Sequence, residues 1–145
     1  MIIYKEESYK ILWACFAVHS ELWRGFLESV YHEALAKELA MRKIPFQEEA
    51  KLDILYKNDY LDKKYYADFI CYDKIILELK ACENISDMHI AQVLNYLSAT
   101  NLKLSIIVNF GSKSLTYRII VKQLNRVNIC EIRDNSCEFV GNDLC

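Results

Sequence analysis

The sequence predicts a mixed α/β domain, with helices packed on a central β-sheet in the order α-α-β-β-β-α-β-β. Three observations carry this reading. Apolar residues recur at helical spacing through the first third of the chain. Two apolar runs, Ile75-Ile76-Leu77 and Leu104-Ser105-Ile106-Ile107-Val108, read as strands covered on both faces. A third helical stretch separates them. With 145 residues, 53% hydrophobic, 26% charged, three glycines and one proline, the chain fits one domain over 1–145 and excludes collagen-like and disordered classes.

The first helix follows Tyr9, Leu12, Cys15/Phe16 and His19, with Ser8 as a candidate cap. Trp23-Arg24-Gly25 interrupts it. The second helix is expected from about Phe26 to Arg42, on the stripe Leu27, Val30, Tyr31, Ala34, Leu35 and Leu39, and Ile44-Pro45 ends it. Phe46–Tyr56 alternates as a strand, and Lys57-Asn58-Asp59 reads as a turn. Tyr65–Cys71 and Ile75–Lys80 form a hairpin around Asp73-Lys74. Ser86 or Asp87 caps a third helix, Met88–Ala99. Strands follow at Lys103–Phe110 and Leu115–Val121, separated by Gly111-Ser112-Lys113. The tail after about Val127 carries no clear pattern.

The formal net charge is −2, so no global basic footprint points to nucleic acid. The distribution is less even. Residues 88–130 hold Lys103, Lys113, Arg118, Lys122 and Arg126 and no acid, which offers one face for an anion or simply five solvated charges. The six cysteines, at 15, 71, 82, 130, 137 and 145, form no CxxC and no zinc spacing, which suggests a reducing compartment. No apolar run reaches the length of a membrane span. Glu6, Glu7 and Lys10 spoil the leader that a lipoprotein box at Leu12–Cys15 would need, so the expected location is cytoplasmic.

The chemistry-bearing signal lies at the end of an apolar strand. Glu78 and Lys80 are two residues apart, so they share a face of their strand. Asp68 sits inside the preceding strand, where a half-buried acid needs a partner. It joins the face of Glu78 only if the hairpin loop is the three-residue Tyr72-Asp73-Lys74 or contains a bulge. A two-residue loop would pair Asp68 with Leu79 and put the two acids on opposite faces. Two carboxylates and a lysine on one face suit metal-assisted phosphodiester hydrolysis, and equally a structural ion pair. His89, Gln92 and Tyr96 form a polar stripe on the third helix. On the second helix Glu28 falls at the flank of the apolar stripe and Glu38 nearer its centre. Either could reach a metal site or bond to a neighbouring strand.

These residues resemble a family. Gly25-Phe26-Leu27-Glu28-Ser29-Val30-Tyr31 resembles the motif that names the GxxExxY proteins. Tyr66-Ala67-Asp68 followed by Ile76-Leu77-Glu78-Leu79-Lys80-Ala81 is similar to their PD-(D/E)XK nuclease-type core. Gln92-x-x-x-Tyr96 resembles the QxxxY signature of RecB-type nucleases, and Val108-Asn109-Phe110-Gly111 the family's closing strand and turn. The resemblance covers roughly residues 8–121 and leaves 127–145 as a divergent tail.

It implies a restriction-endonuclease-like core and a nuclease dependent on Mg²⁺ or Mn²⁺, with DNA as the expected substrate. By motif position Asp68, Glu78 and Glu28 would be metal ligands, and Lys80 would orient the attacking water. Gln92 and Tyr96 would support the site. The charge distribution, rather than the resemblance, offers Lys113, Arg118, Lys122 and Arg126 in the acid-free segment as the phosphate-facing surface of such a nuclease. The alternative is a non-catalytic module that keeps the fold and binds nucleic acid or a partner. The resemblance leaves open a homodimer or a protein partner. One departure stands out: Trp23-Arg24 occupies the place of the family's Gly-Pro pair before the motif glycine.

Overall fold

Two helices open the chain, each shifted slightly from the sequence expectation. The computed structural model describes residues 3–123, 126–133 and 136–141, with side chains over 3–122. Helix α1 (Lys5–Leu22) begins before Ser8, because Lys5, Glu6 and Glu7 are good helix formers and the acids suit the positive end of the helix dipole. Ser8 therefore does not cap it. The helix starts from Tyr4 in the left-handed region, and Ser8 is buried, its Oγ without a hydrogen-bond partner among the described residues.

Helix α2 (Glu28–Met41) buries Tyr31, Leu35 and Leu39. Leu27 and Val30 belong to its exposed side, because the helix starts only at Glu28, with Leu27 as its N-cap. It closes before Ile44-Pro45. Lys43 turns left-handed (φ 57°), and the Ile44 N–H reaches back to the Leu39 carbonyl at 3.0 Å.

Strands β1 (Phe46–Tyr56) and β2 (Asp59–Cys71) form an antiparallel hairpin. Lys57 and Asn58 both have positive φ, as a two-residue turn requires. Tight closure lets Asp59 pair at once with Tyr56, so β2 begins six residues before the expected Tyr65. The ladder from Phe46↔Cys71 to Asp53↔Lys64 lacks one rung, between Glu49 and Asp68. Glu49 there has φ 47°, rare for a residue with a side chain. The two strands change face at this point. Phe69 belongs to one core and Ala67 to the other.

β3 (Ile75–Lys80) pairs antiparallel with β2 through Phe69↔Leu77, Ile70↔Ile76 and Cys71↔Ile75. The loop is the three-residue Tyr72-Asp73-Lys74, the form that levels Asp68 with Glu78. Helix α3 (Asp87–Ala99) then crosses over to β4 (Leu104–Asn109), which runs parallel to β3. β5 (Thr116–Gln123), β6 (Arg126–Arg133) and β7 (Ser136–Gly141) add antiparallel neighbours, so the sheet order follows the chain order. The last two strands fall in the tail that showed no sequence pattern.

Alternation along the central strands divides the core. Ile75, Leu77, Leu79, Leu104, Ile106 and Val108 face α1 and α2, where Tyr31, Leu35 and Leu39 meet them. Ile76, Ile107 and Ile120 face α3 and pack on Val93 and Leu97. Glu78 and Lys80 alternate with the first set and so emerge on the side of α3.

Candidate active site

The site forms where β2 leaves β3. Their backbone ladder ends at Phe69↔Leu77, and side chains take over from it. The Leu79 N–H donates to Oδ2 of Asp68 at 2.8 Å. In return the Asp68 backbone N–H comes within hydrogen-bonding reach of the Glu78 carboxylate. This clasp gives the Leu79 N–H an acceptor where the ladder has ended. It also holds the carboxylates of Asp68 and Glu78 side by side.

Glu78 is only 6% exposed, and its carboxyl is pushed up to about 8. Burial is the main cause and the charge of Asp68 the second. Hydrogen bonds from Tyr65 and the Asp68 backbone, and the charge of Lys80, oppose the rise. The Tyr65 hydroxyl donates to Oε1 of Glu78, and the Tyr65 ring stacks on Tyr96, with centroids 3.3 Å apart. Tyr96 in turn is within hydrogen-bonding reach of Gln92. The Gln92–Tyr96 pair on α3 therefore reaches Glu78 through Tyr65.

Glu28 stands at the first turn of α2. Partial burial and the charge of Asp68 raise its carboxyl above the ordinary range, while Lys80 and His32 pull it back. Asp68, Glu78, Glu28 and Lys80 thus share one electrostatic neighbourhood. Glu38 does not join it. Tyr31, Leu35 and Leu39 set the buried side of α2, and Glu38 pairs with Arg42 at 2.8 Å on the flank.

The two other motif residues of the 25–31 segment shape the entry to α2. Gly25 has φ 118°, a conformation that favours glycine. Tyr31 is fully buried and stacks on Phe110 at 4.8 Å. Its hydroxyl donates to the Trp23 carbonyl and accepts from the Phe26 N–H at 3.2 Å. The glycine makes the turn, the tyrosine ties it down, and Glu28 is presented between them.

His89 serves the helix. Its Nδ1 accepts from the Ser86 N–H at 3.1 Å, and its own N–H donates to the Ser86 hydroxyl at 3.2 Å, a capping box at the start of α3. Burial and the nearby Lys80 hold the imidazole below its ordinary pKa.

Of the expected phosphate-facing cations, Arg118 and Lys122 share a face of β5. Lys113 is exposed in the β4–β5 loop. Lys122 gives its ammonium to the Leu97 carbonyl at 2.9 Å, and Arg118 donates to the Tyr117 carbonyl at 3.0 Å. The side chain of Arg126 lies outside the described residues.

Four residues of this neighbourhood have no site role in the sequence reading, although Asn109 stands in the quoted Val108-Asn109-Phe110-Gly111 motif. Tyr65 lies three residues before Asp68, and only the face change in β2 brings it to Glu78. His32 and Glu49 each offer a ligand atom within 4.8 Å of one on Asp68. The one available clue was that His32 stands a helical turn after Glu28. Asn109 is fully buried at the end of β4. Its side chain accepts from Cys82 N–H (3.1 Å) and Gly111 N–H (3.0 Å), and donates to the Cys82 carbonyl (2.9 Å). That network fixes the segment just after Lys80. A Cβ on Gly111 would fall 2.4 Å from the Cys82 backbone, so the turn admits only glycine.

Among the described residues no helix is long and apolar enough to cross a membrane. No curated protein and no solved structure gives a significant match to the chain. A family model of the PD-(D/E)XK nuclease superfamily matches residues 5–121, from α1 through β5 and across every element of the site. By that match, the chain belongs to the PD-(D/E)XK nuclease superfamily.

Proposed function

We propose that this protein is a nuclease dependent on Mg²⁺ or Mn²⁺ that hydrolyses phosphodiester bonds in DNA, and that within the superfamily it belongs with the GxxExxY proteins. The observation that carries the reading is the clasp between Asp68 and Glu78, with Lys80 on the same strand and Glu28 facing them from α2.

The donor set fits a hard divalent cation. Asp68, Glu78 and Glu28 supply carboxylate oxygens, and burial first, with the charge of Asp68 second, raises the carboxyls of Glu78 and Glu28. A cation held there would lower the pKa of bound water and neutralise charge on a phosphate. Lys80 would orient the attacking water and face the phosphate. Tyr65, Tyr96 and Gln92 would keep the Glu78 carboxylate in place. Lys103 and Lys113 are exposed cations of the acid-free segment, whose modest charge leads to an expectation of weak intrinsic affinity that falls with salt. The free cysteines among the described residues, Cys15, Cys71 and Cys82, fit a cytoplasmic location.

The test is cleavage of labelled linear DNA, circular DNA and RNA, with Mg²⁺, with Mn²⁺ and with chelator, beside Asp68→Ala and Lys80→Ala. Metal-dependent cutting of DNA that both variants lose is the expected result. A well-folded wild type that neither cuts nor binds metal by calorimetry would instead favour the non-catalytic binding module.

A further inference from the structure

The face change in β1 and β2 gathers donors that Asp68, Glu78 and Glu28 do not account for. His32 follows Glu28 by one turn of α2, so both look onto the same strip of the sheet. Its ring lies on Phe69, with centroids 4.4 Å apart and planes 24° from parallel, which fixes the imidazole plane. Nε2 stands 3.4 Å from Oε1 of Glu48 and 3.9 Å from Oε1 of Glu49, and Nδ1 stands 4.0 Å from Oδ1 of Asp68. Glu48 and Glu49 are neighbours in a strand and would ordinarily point to opposite faces. Both reach one imidazole because Glu49 has a positive φ at the missing rung opposite Asp68.

The carboxylate of Asp68 is also divided. Oδ2 accepts from Leu79 on the β3 side, and Oδ1 faces His32 on the α2 side. One ligand atom each from His32, Glu49 and Asp68 already lies within 4.8 Å of the others. Donors about 2.1 Å from a shared ion stand roughly 3–4 Å apart, so a small rotation of the exposed Glu49 closes the set.

We propose that His32, Glu49 and Asp68 form a second divalent-cation site, with Asp68 shared between it and the site at Glu78. With Nδ1 toward the ion beside Asp68, Nε2 has Glu48 at 3.4 Å to fix the tautomer. An imidazole among carboxylates suits Mn²⁺ or another transition metal better than Mg²⁺. The inference rests on the metal-dependent reading above only for the meaning of the second ion, a clamp on the other side of a scissile phosphate.

Calorimetric titration with Mn²⁺ reads the stoichiometry directly. Two ions per chain are expected for the wild type, one for His32→Ala, one for Glu78→Gln and none for Asp68→Asn. His32→Asn, closer in shape, serves as a second variant and also retains one ion. In Glu78→Gln the imidazole proton signals of His32 should still be broadened by Mn²⁺, more than those of His19 and His89, and excess Mg²⁺ should leave that broadening in place. A folded His32→Ala that binds Mn²⁺ in the same number and with the same affinity as wild type overturns the site, as do His32 signals that Mn²⁺ leaves sharp in Glu78→Gln. Metal-dependent cutting alongside either of those results removes this second site and leaves the nuclease reading standing. An ion at His32 in a protein that cuts nothing leaves this site standing and removes the nuclease reading.

Discussion

Two pairs of strands meet at the site, and they are built on opposite plans. β3 and β4 run parallel in unbroken register over six pairs, and every residue in them except Lys80 is buried. β1 and β2 form a long ribbon that loses a rung at Glu49 and Asp68 and swaps its faces there. Glu78 and Lys80 come from the regular pair, so strand alternation alone sets their spacing. Asp68 comes from the irregular pair and reaches Glu78 because its own strand has departed from β3. The regular pair fixes where the chemistry sits, and the irregular pair aims the groups that complete it.

Replacing the residue that joins the two pairs should do the most damage. Asp68→Ala is expected to lower metal-dependent cleavage by about a thousandfold or more, measured under single-turnover conditions. It also leaves the Leu79 N–H without its acceptor, at a cost of roughly 1–3 kcal/mol by denaturant unfolding. Asp68→Asn should recover much of that stability without recovering cleavage. If Asp68→Ala were as stable as wild type, the clasp would not be holding the strands together.

Disturbing the regular pair at its end should cost stability first. Asn109→Ala removes three hydrogen bonds, two with Cys82 and one with Gly111, and is expected to destabilise by about 2–3 kcal/mol. Gly111→Ala should cost about 1–3 kcal/mol through the clash with the Cys82 backbone. Both are read by chemical denaturation, and an unchanged midpoint in either would show that the segment after Lys80 can relax freely.

The Glu78 carboxyl sharpens the contrast through pH. Its value is raised in the folded state from an ordinary 4.5 to about 8, so the folded protein keeps a proton that the unfolded chain releases. Stability of the metal-free protein should therefore fall as pH rises from about 4.5 to about 8, and this contribution should level off above that. The slope is at most about 1.4 kcal/mol per pH unit. Glu78→Gln should flatten the profile, and a profile that keeps its slope would place the responsible proton elsewhere.

The smallest effect is expected at the entry to α2. Tyr31→Phe removes a hydroxyl that bridges Trp23 and Phe26 while keeping the stack on Phe110. It should cost about 1 kcal/mol and weaken metal binding severalfold by loosening the turn that presents Glu28. Unchanged metal affinity by calorimetry would mean that the Tyr31 hydroxyl does not set the position of Glu28.

Much of this arrangement can be read from the chain because it rests on alternation. The buried runs at Ile75 and Leu104 and the shared face of Glu78 and Lys80 follow from period and spacing, whereas the loop length that levels Asp68 with Glu78 and the choice between Glu28 and Glu38 stay open until the strands and α2 are placed. What could not be read depends on broken alternation or on tertiary contact. A positive φ at Glu49 has no sequence mark, since the residue is not glycine, and without it neither Tyr65 nor His32 can be connected to the carboxylates. Asn109 sits in an apolar run and looks like a strand residue until its partners across the turn are known. Ser8 looked like a cap because it precedes the apolar stripe, yet three good helix formers ahead of it moved the start of α1.

The interruption at Glu49 also bears on how the molecule meets its own copies. β1 stands at one end of the sheet order, so one row of its backbone groups faces outward. A flat edge of eleven residues would be an open template for another strand. Here a left-handed residue bends that edge near its middle, and Glu48, Glu49, Lys51 and Asp53 place charges along it. The same backbone irregularity that aims a carboxylate inward thus makes the outer border of the sheet a poor surface for sheet-to-sheet aggregation.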